Sequence, residues 1–253
     1  MGIILLEKED LANYYVSDYF FQRMLYKYQK IFPIERSTEL ASLVGDLMAD
    51  GHVQGEGKWR IDYTSKSKKE LQRFGKVVYD LFGVKGKIRP CTTNKFSKTF
   101  NYGVNCKPIA LILHLSGAPT GAKVLKAFKI PDWILNDKEF FRIFVYRLFC
   151  CEGTVDYSKT PFIEMNMHKD TRIMQDGFAF FNSLKDGLFN HFGIISNSIF
   201  TGSRSFRKDG IITIALRLKI KRKVEISKFI EEIGFPKEGH KRDKILAVLN
   251  GNI

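Results

Sequence analysis

The chain has 253 residues, 44% hydrophobic and 27% charged, which suits one large or two modest globular units and argues against wholesale disorder. Lys and Arg number 41 against 27 Asp and Glu, a net charge of +14. A surface this basic repels itself unless a polyanion offsets it, so nucleic acid is the favoured partner, with an anionic membrane, or no polyanion at all, as the rivals.

Residues 1–36 are expected to form a helical extension in which Tyr14, Tyr15, Tyr19, Phe20, Phe21, Tyr26 and Tyr28 alternate with Arg23, Lys27 and Lys30. Two readings stand for it: packing over a core, or contact with nucleic acid. Pro33 is expected to end it. A helix follows from Ser37 or Thr38, either of which can cap it, through Leu40, Leu43, Val44, Leu47 and Met48 to Asp50-Gly51. Gly51 is expected as a left-handed stop. Residues 52–63 alternate as strand, residues 68–82 predict a helix stopped by Gly83, two strands follow near 85–89 and 99–105, and a helix over 108–115 closes the block.

The same order then returns. A helix starts near Asp137 and runs through Phe140, Phe141, Phe144, Val145, Leu148 and Phe149 to Glu152-Gly153. Strand text covers 154–167, a helix 171–192 ends at Gly193, strands lie near 195–201 and 211–220, and a last helix spans 224–233. The acid–glycine pairs at 50–51 and 152–153 are offset by 102, and Lys107 and Lys223, each before a closing helix, by 116. The difference predicts insertions in the second copy, near 204–210. Self-similarity at this period means two pseudo-symmetric units rather than a solenoid. The expected fold class is therefore α+β, with a helical extension (1–36), a first repeat (37–128) and a second repeat (129–253).

Familiar catalytic patterns are missing. Cys91, Cys106, Cys150 and Cys151 make no C-x-x-C pair, and the sequence carries no H-E-x-x-H, Walker A or G-x-S-x-G motif. The opening apolar run is too short for a signal core, Leu6 stands where a myristoylation signal wants Ser or Thr, and Arg142 and Arg147 interrupt the apolar stretch 140–151. No membrane association is expected, and a reduced cytoplasmic compartment fits the thiols.

The chemistry is expected at the two helix ends. In Leu43-Val44-Gly45-Asp46-Leu47-Met48-Ala49-Asp50-Gly51, Gly45 and Ala49 share one face and admit a close neighbour. Asp50 lies at the negative end of the helix dipole, where a cation is wanted. The second copy, Val145-Tyr146-Arg147-Leu148-Phe149-Cys150-Cys151-Glu152-Gly153, repeats the carboxylate before glycine. If the helices pack side by side and parallel, the two carboxylates meet, which a divalent metal needs.

On these residues the chain resembles the LAGLIDADG homing endonucleases in their single-chain, two-motif form, intron-encoded. The likeness covers roughly 38–250; Arg147 and Cys151 depart from the small residues of the motif, and Arg147 is read as a snorkelling, partly exposed arginine. The resemblance implies two αββαββα halves forming a saddle, with antiparallel sheets as its DNA-binding face. It implies Asp50 and Glu152 as metal ligands with backbone donors at Gly51 and Gly153, Mg²⁺ as cofactor (Mn²⁺ as an alternative, Ca²⁺ as a non-catalytic substitute), and Lys107, Lys223, Ser65 and His168 around the reacting phosphate. It further implies a monomer cutting both strands of a long asymmetric DNA target to leave 3′ overhangs, in the cytoplasm or, for an organellar host gene, the organellar matrix. Host intron RNA is a second partner it allows. The alternative of the same ancestry is an RNA maturase or a DNA-binding protein that does not cut.

The expected DNA face includes Trp59, Arg60, Asp62 and Thr64 with Lys69, and alternating Lys85, Lys87 and Arg89 in the first half. In the second half it includes Thr154, Asp156, Tyr157, Glu164 and Asn166 with Arg172, alternating Arg217, Lys219 and Lys221, and a flexible basic loop over 202–210 carrying Arg204, Arg207 and Lys208. Both base and phosphate contacts stay open for each of these residues.

Overall fold

A computed structural model of the chain describes residues 2–91, 99–156 and 160–250. It divides into two compact units, Met1–Gly121 and Ala122–Ile253.

The first unit opens with a short ribbon, β1 (Ile4–Leu6) against β2 (Ile34–Glu35), enclosing a 3₁₀ turn over Lys8–Tyr14 and helix α1 (Asp18–Tyr28). The extension is thus mixed rather than purely helical, and α1 stops before Pro33 is reached. Helix α2 (Thr38–Met48) begins where expected because the Ser37 hydroxyl accepts from the Leu40 amide at 3.1 Å. Strands β3 (Gly51–Gln54) and β4 (Arg60–Ser65) follow, then α3 (Lys68–Phe82), capped by Ser67 and stopped by Gly83 at φ 68°. Strands β5 (Lys87–Pro90) and β6 (Phe100–Val104) and helix α4 (Lys107–Leu115) complete the unit. The four main strands form an antiparallel sheet in the order β3-β4-β6-β5. Its core side stacks Tyr63 on Phe74, ring centroids 4.7 Å apart.

The second unit starts with a short helix, α5 (Asp132–Leu135), before α6 (Lys138–Glu152), which Asp137 caps by accepting from the amides of Glu139 and Phe140. Next come β7 (Gly153–Asp156), β8 (Phe162–Asp170), a 3₁₀ turn over Thr171–Ile173, α7 (Met174–Phe192), β9 (Phe200–Phe206), β10 (Ile212–Ile220) and α8 (Lys223–Glu232). A further helix, α9 (His240–Leu249), has no counterpart among the expected elements. The sheet order β7-β8-β10-β9 repeats that of the first unit, again antiparallel. Two copies of one α+β unit are therefore present. The added length of the second copy is not concentrated in one insertion: β8, α7, β9 and β10 are each longer than β4, α3, β5 and β6.

Several boundaries differ from expectation for local reasons. Lys85 precedes β5 rather than lying on it, and Lys221 follows β10. Arg204 lies on β9, and only the turn between β9 and β10 remains of the expected basic loop; there Arg207 forks onto Asp209 with contacts of 2.9–3.1 Å. Tyr157 lies outside the described residues. Among the described residues, no helix is long and apolar enough to cross a membrane.

Candidate functional site

The two motif helices deliver their acids differently. Residues 40–49 of and just after α2 are buried, and Asp50 then emerges exposed. On the inner side Asp46, with no exposed surface, accepts from the Arg73 guanidinium of α3 at 2.5 Å. At the end of α6, Glu152 is half-buried. Arg147 is not the snorkelling residue expected: it is 3% exposed, since the helix turns that face inward.

Gly51 and Gly153 are needed for space, not for a left-handed turn. Gly153 has φ −72° and is extended, and Gly51 is not among the positive-φ residues. The strand leaves each helix so closely that a side chain has no room. A Cβ at Gly51 would stand 2.7 Å from Leu47 Cα and 3.0 Å from the Asp46 carbonyl; one at Gly153 would press on the Phe149 ring and carbonyl. Gly153→Ala is therefore expected to lower stability by about 1–3 kcal/mol, as overpacking does, read from urea unfolding midpoints. An unchanged midpoint would show that the turn gives way freely.

The two motif lysines are unequal as well. Both occupy the first position of a helix, Lys107 on α4 and Lys223 on α8. Lys223 is exposed. The Lys107 ammonium instead donates to the Tyr14 carbonyl at 2.5 Å and sits 4.3 Å from the Tyr15 ring centroid, and burial lowers its pKa. Beside it the Tyr28 hydroxyl meets Cys106 Sγ at 3.4 Å, and burial pushes the Tyr15 hydroxyl up to about 12. Part of the extension thus packs on α4, with Leu11 and Met24 buried, while Tyr19, Phe20 and Tyr26 stay exposed.

The sheets separate their polar residues by face. On β4, Arg60, Asp62 and Thr64 share the outer side, with Arg60 bound to Asp62 at 2.9 Å. Trp59 is not on that face in the expected sense: it packs edge-on to Tyr14 and beside His114, each 5.7 Å away. Ser65 ends the strand, its hydroxyl accepting from the Ser67 amide at 3.1 Å, and Lys69 is exposed at the start of α3. Lys87 and Arg89 are exposed on the edge strand, and Lys85 lies 4.8 Å from the Tyr79 ring centroid.

On β8 the alternation sets Glu164, Asn166 and His168 on one face, opposite Lys219, Arg217 and Ala215 of β10. Glu164 is nearly buried and holds both cations, Lys219 at 3.1 Å and Arg217 at 3.5 Å. Asn166 Oδ1, His168 Nδ1 and Arg217 Nε are buried atoms without a hydrogen-bond partner among the described residues. Such unmet polar groups are costly unless something outside the chain supplies partners. Arg172 is exposed and forks onto the buried Asp170, with contacts of 2.5–3.2 Å that hold the Asp170 carboxyl below its ordinary range. Among the described residues, no three His, Cys, Asp or Glu side chains cluster as a ready metal set.

No protein-family model matches the chain. It is 26% identical over 219 residues to the tRNA-splicing ligase RtcB of Pyrococcus abyssi (strain GE5 / Orsay), covering 81% of this chain but only 23% of that protein. Among solved structures it resembles full-length DUF199/WhiA from Thermatoga maritima, with TM-score 0.53, 15% identity, 88% of this chain and 64% of the other. It also resembles the homing endonuclease I-WcaI bound to its DNA recognition sequence, with TM-score 0.51, 14% identity, 82% of this chain and 85% of the other. The chain thus spans about a quarter of the ligase and under two thirds of WhiA. Identities this low speak for the fold alone: with its duplicated helix–glycine motif and duplicated sheet order, the architecture is the LAGLIDADG fold.

Proposed function

We propose that the chain binds double-stranded DNA through the polar faces of its sheets and hydrolyses both strands with a divalent ion at a long asymmetric site, leaving 3′ overhangs. The observation that carries this reading is Asp50, a carboxylate brought into solvent just past a helix that is buried from Leu40 to Met48. A carboxylate at the negative end of that dipole is disfavoured by roughly 0.3–1 kcal/mol, a cost that a bound cation offsets.

The donor chemistry fits Mg²⁺, which takes one or two carboxylates and completes its shell with water and substrate phosphate. In this reading Asp50 is the acid of the first unit and Glu152 that of the second, with Gly51 and Gly153 as their neighbouring backbone donors. When bound, the ion supplies Lewis-acid stabilisation of the phosphoryl oxygens and a more acidic water. The exposure of Lys223 at the start of α8 supports a role in meeting phosphoryl charge; Ser65, at the end of β4, and His168, near the end of β8, are the polar groups of the second strands. The unmet groups of Asn166, His168 and Arg217 support base-edge readout, and Arg60, Lys69, Lys87, Arg89, Arg172, Arg204 and Lys221 support phosphate contact.

Asp50→Asn and Glu152→Gln are each expected to lower cleavage in Mg²⁺ by about 100-fold or more, a loss typical of removing one preorganised electrostatic group, while DNA binding in Ca²⁺ stays within a few-fold. Undiminished cutting by either variant would sink the assignment. A DNA-binding protein that does not cut is the second reading, favoured by the engagement of Lys107 with Tyr14 and Tyr15. Sequence-selective binding by the wild type without cleavage in Mg²⁺ or Mn²⁺ would decide for it.

A further inference from the structure

In the first unit the ends of α1 and α3 border one open cleft. It measures about 640 Å³, and its lining includes Lys27, Tyr28 and Lys30 from the end of α1 and Phe82, Gly83 and Lys85 from the end of α3. Lys27, Lys30 and Lys85 are exposed, and none of the described residues that line the cleft is an Asp or Glu. The Lys27 ammonium lies 5.2 Å from the Tyr28 ring centroid, and that of Lys85 lies 4.8 Å from the Tyr79 ring centroid. A ring face orients a cation without cancelling its charge. Each helix C-terminus offers about half a negative charge, so the two together offset roughly one of the three lysines and leave the cleft at about +2. Like charges gathered in one place repel each other unless a polyanion lies there. The charge also continues onto the sheet. Lys87 and Arg89 of β5 stand opposite Gly103 and Asn101 of β6, which stand opposite Asp62 and Thr64 of β4. Directly opposite residues share a face, so both cations lie on the outer face of the sheet. Lys85 comes two residues before Lys87 and joins the cleft to that row.

We propose that this cleft is a site for the phosphate backbone of double-stranded DNA, through which the N-terminal extension carries the DNA path past the edge of the first sheet. The proposal rests on the DNA-binding reading above and adds the extension to it. A lysine ammonium is a compact point charge rather than a planar fork, so it attracts phosphate oxygens without selecting a base. The cleft therefore adds affinity and not sequence preference, and any duplex can fill it.

The test is the salt dependence of binding to a fluorescein-labelled DNA duplex of random sequence, read by anisotropy across KCl concentrations for the full chain. Each phosphate neutralised contributes about 0.9 to the slope of log K against log salt, so Lys27→Gln, Lys30→Gln and Lys85→Gln combined should flatten it by about 2–3. Arg at the same three positions should keep the wild-type slope. Lys76→Gln, Lys129→Gln and Lys138→Gln combined make a charge-matched control: each of these lysines is exposed and paired with an acid of its own. The control should leave the slope within about one unit of wild type. A cleft variant that flattens the slope by less than about one unit, or by no more than the control does, would overturn the proposal. So would a change seen with duplex RNA and not with DNA. Should the combined cleft variant not fold, Lys30→Gln and Lys85→Gln decide singly, each expected to flatten the slope by about 1. A wild type without salt-dependent binding to DNA would remove the DNA-binding reading itself, whereas wild-type binding with an unchanged slope in the cleft variant removes the cleft alone.

Discussion

Arg73→Ala is expected to lower stability by about 3–5 kcal/mol, a large fraction of what a folded chain ordinarily has. Asp46 sits on the inward side of α2 with no exposed surface, and its Oδ2 lies 2.5 Å from the Arg73 guanidinium. The arginine is itself fixed, with its Nε donating to Glu70 at 3.1 Å and its guanidinium 6.0 Å from the Tyr63 ring centroid. It is 28% exposed, so solvent covers only part of one partner. The pair as a whole contributes little, because desolvation opposes attraction, but removing one member leaves a buried carboxylate without its principal counter-charge. Asp46→Asn added to Arg73→Ala should therefore recover part of the loss, since the uncharged amide costs less to bury. Urea unfolding at neutral pH measures both. A cost below about 1 kcal/mol for Arg73→Ala would show that water or another group takes over. The consequence for function is direct: α2 is the helix that ends in Asp50, and this pair ties it to α3.

The repeat, the motif helices and their caps were legible because each rests on local chemistry. Ser37 and Asp137 cap helices within three residues, and Gly83 and Gly193 stop them with positive φ. Glu164, Asn166 and His168 share one face of β8, opposite Lys219, Arg217 and Ala215 of β10, as the period of two in a strand requires. What spacing could not give is the identity of a partner distant in sequence. Lys107 meets Tyr14 and Tyr15 more than ninety residues away, and Lys241 meets α6 at a similar separation. Lys219 and Arg217 looked like unencumbered strand cations, yet both spend charge on Glu164. Gly51 was recognisable as required, but for the wrong reason: at Gly51, as at Gly153, the requirement is close approach of strand to helix, which depends on tertiary geometry and not on φ. An unpaired Asp-Gly carries no such information; the duplication gave it meaning.

Lys169 gives the second large effect, and its sign can be worked out. It lies on β8 facing away from the Glu164–His168 row, 1% exposed, and donates to the carbonyls of Lys123 and Lys126, both at 2.9 Å. Its ammonium is 3.6 Å from the Phe128 ring centroid, and Phe128 packs edge-on to Phe180. Burial lowers its pKa from 10.5 to about 8, with Asp176 opposing and Lys123 adding to the shift. Below pH 8 both folded and unfolded chains carry the proton, and the folded state bears the full penalty of burying it. Between about pH 8 and 10.5 the folded lysine is neutral while the unfolded one is still charged. The unfolded state then binds more protons, so this residue's contribution to stability rises with pH, by at most about 1.4 kcal/mol per unit. Lys169→Met removes the titration. The unfolding free energy of wild type minus that of Lys169→Met, from urea titrations between pH 7 and 10, should climb across this window and be flat below it. A flat difference throughout would mean that the two carbonyls and the Phe128 ring hold the proton in the folded state as firmly as water does in the unfolded one, and that the lysine is a permanent cation joining the stretch before α5 to the second sheet.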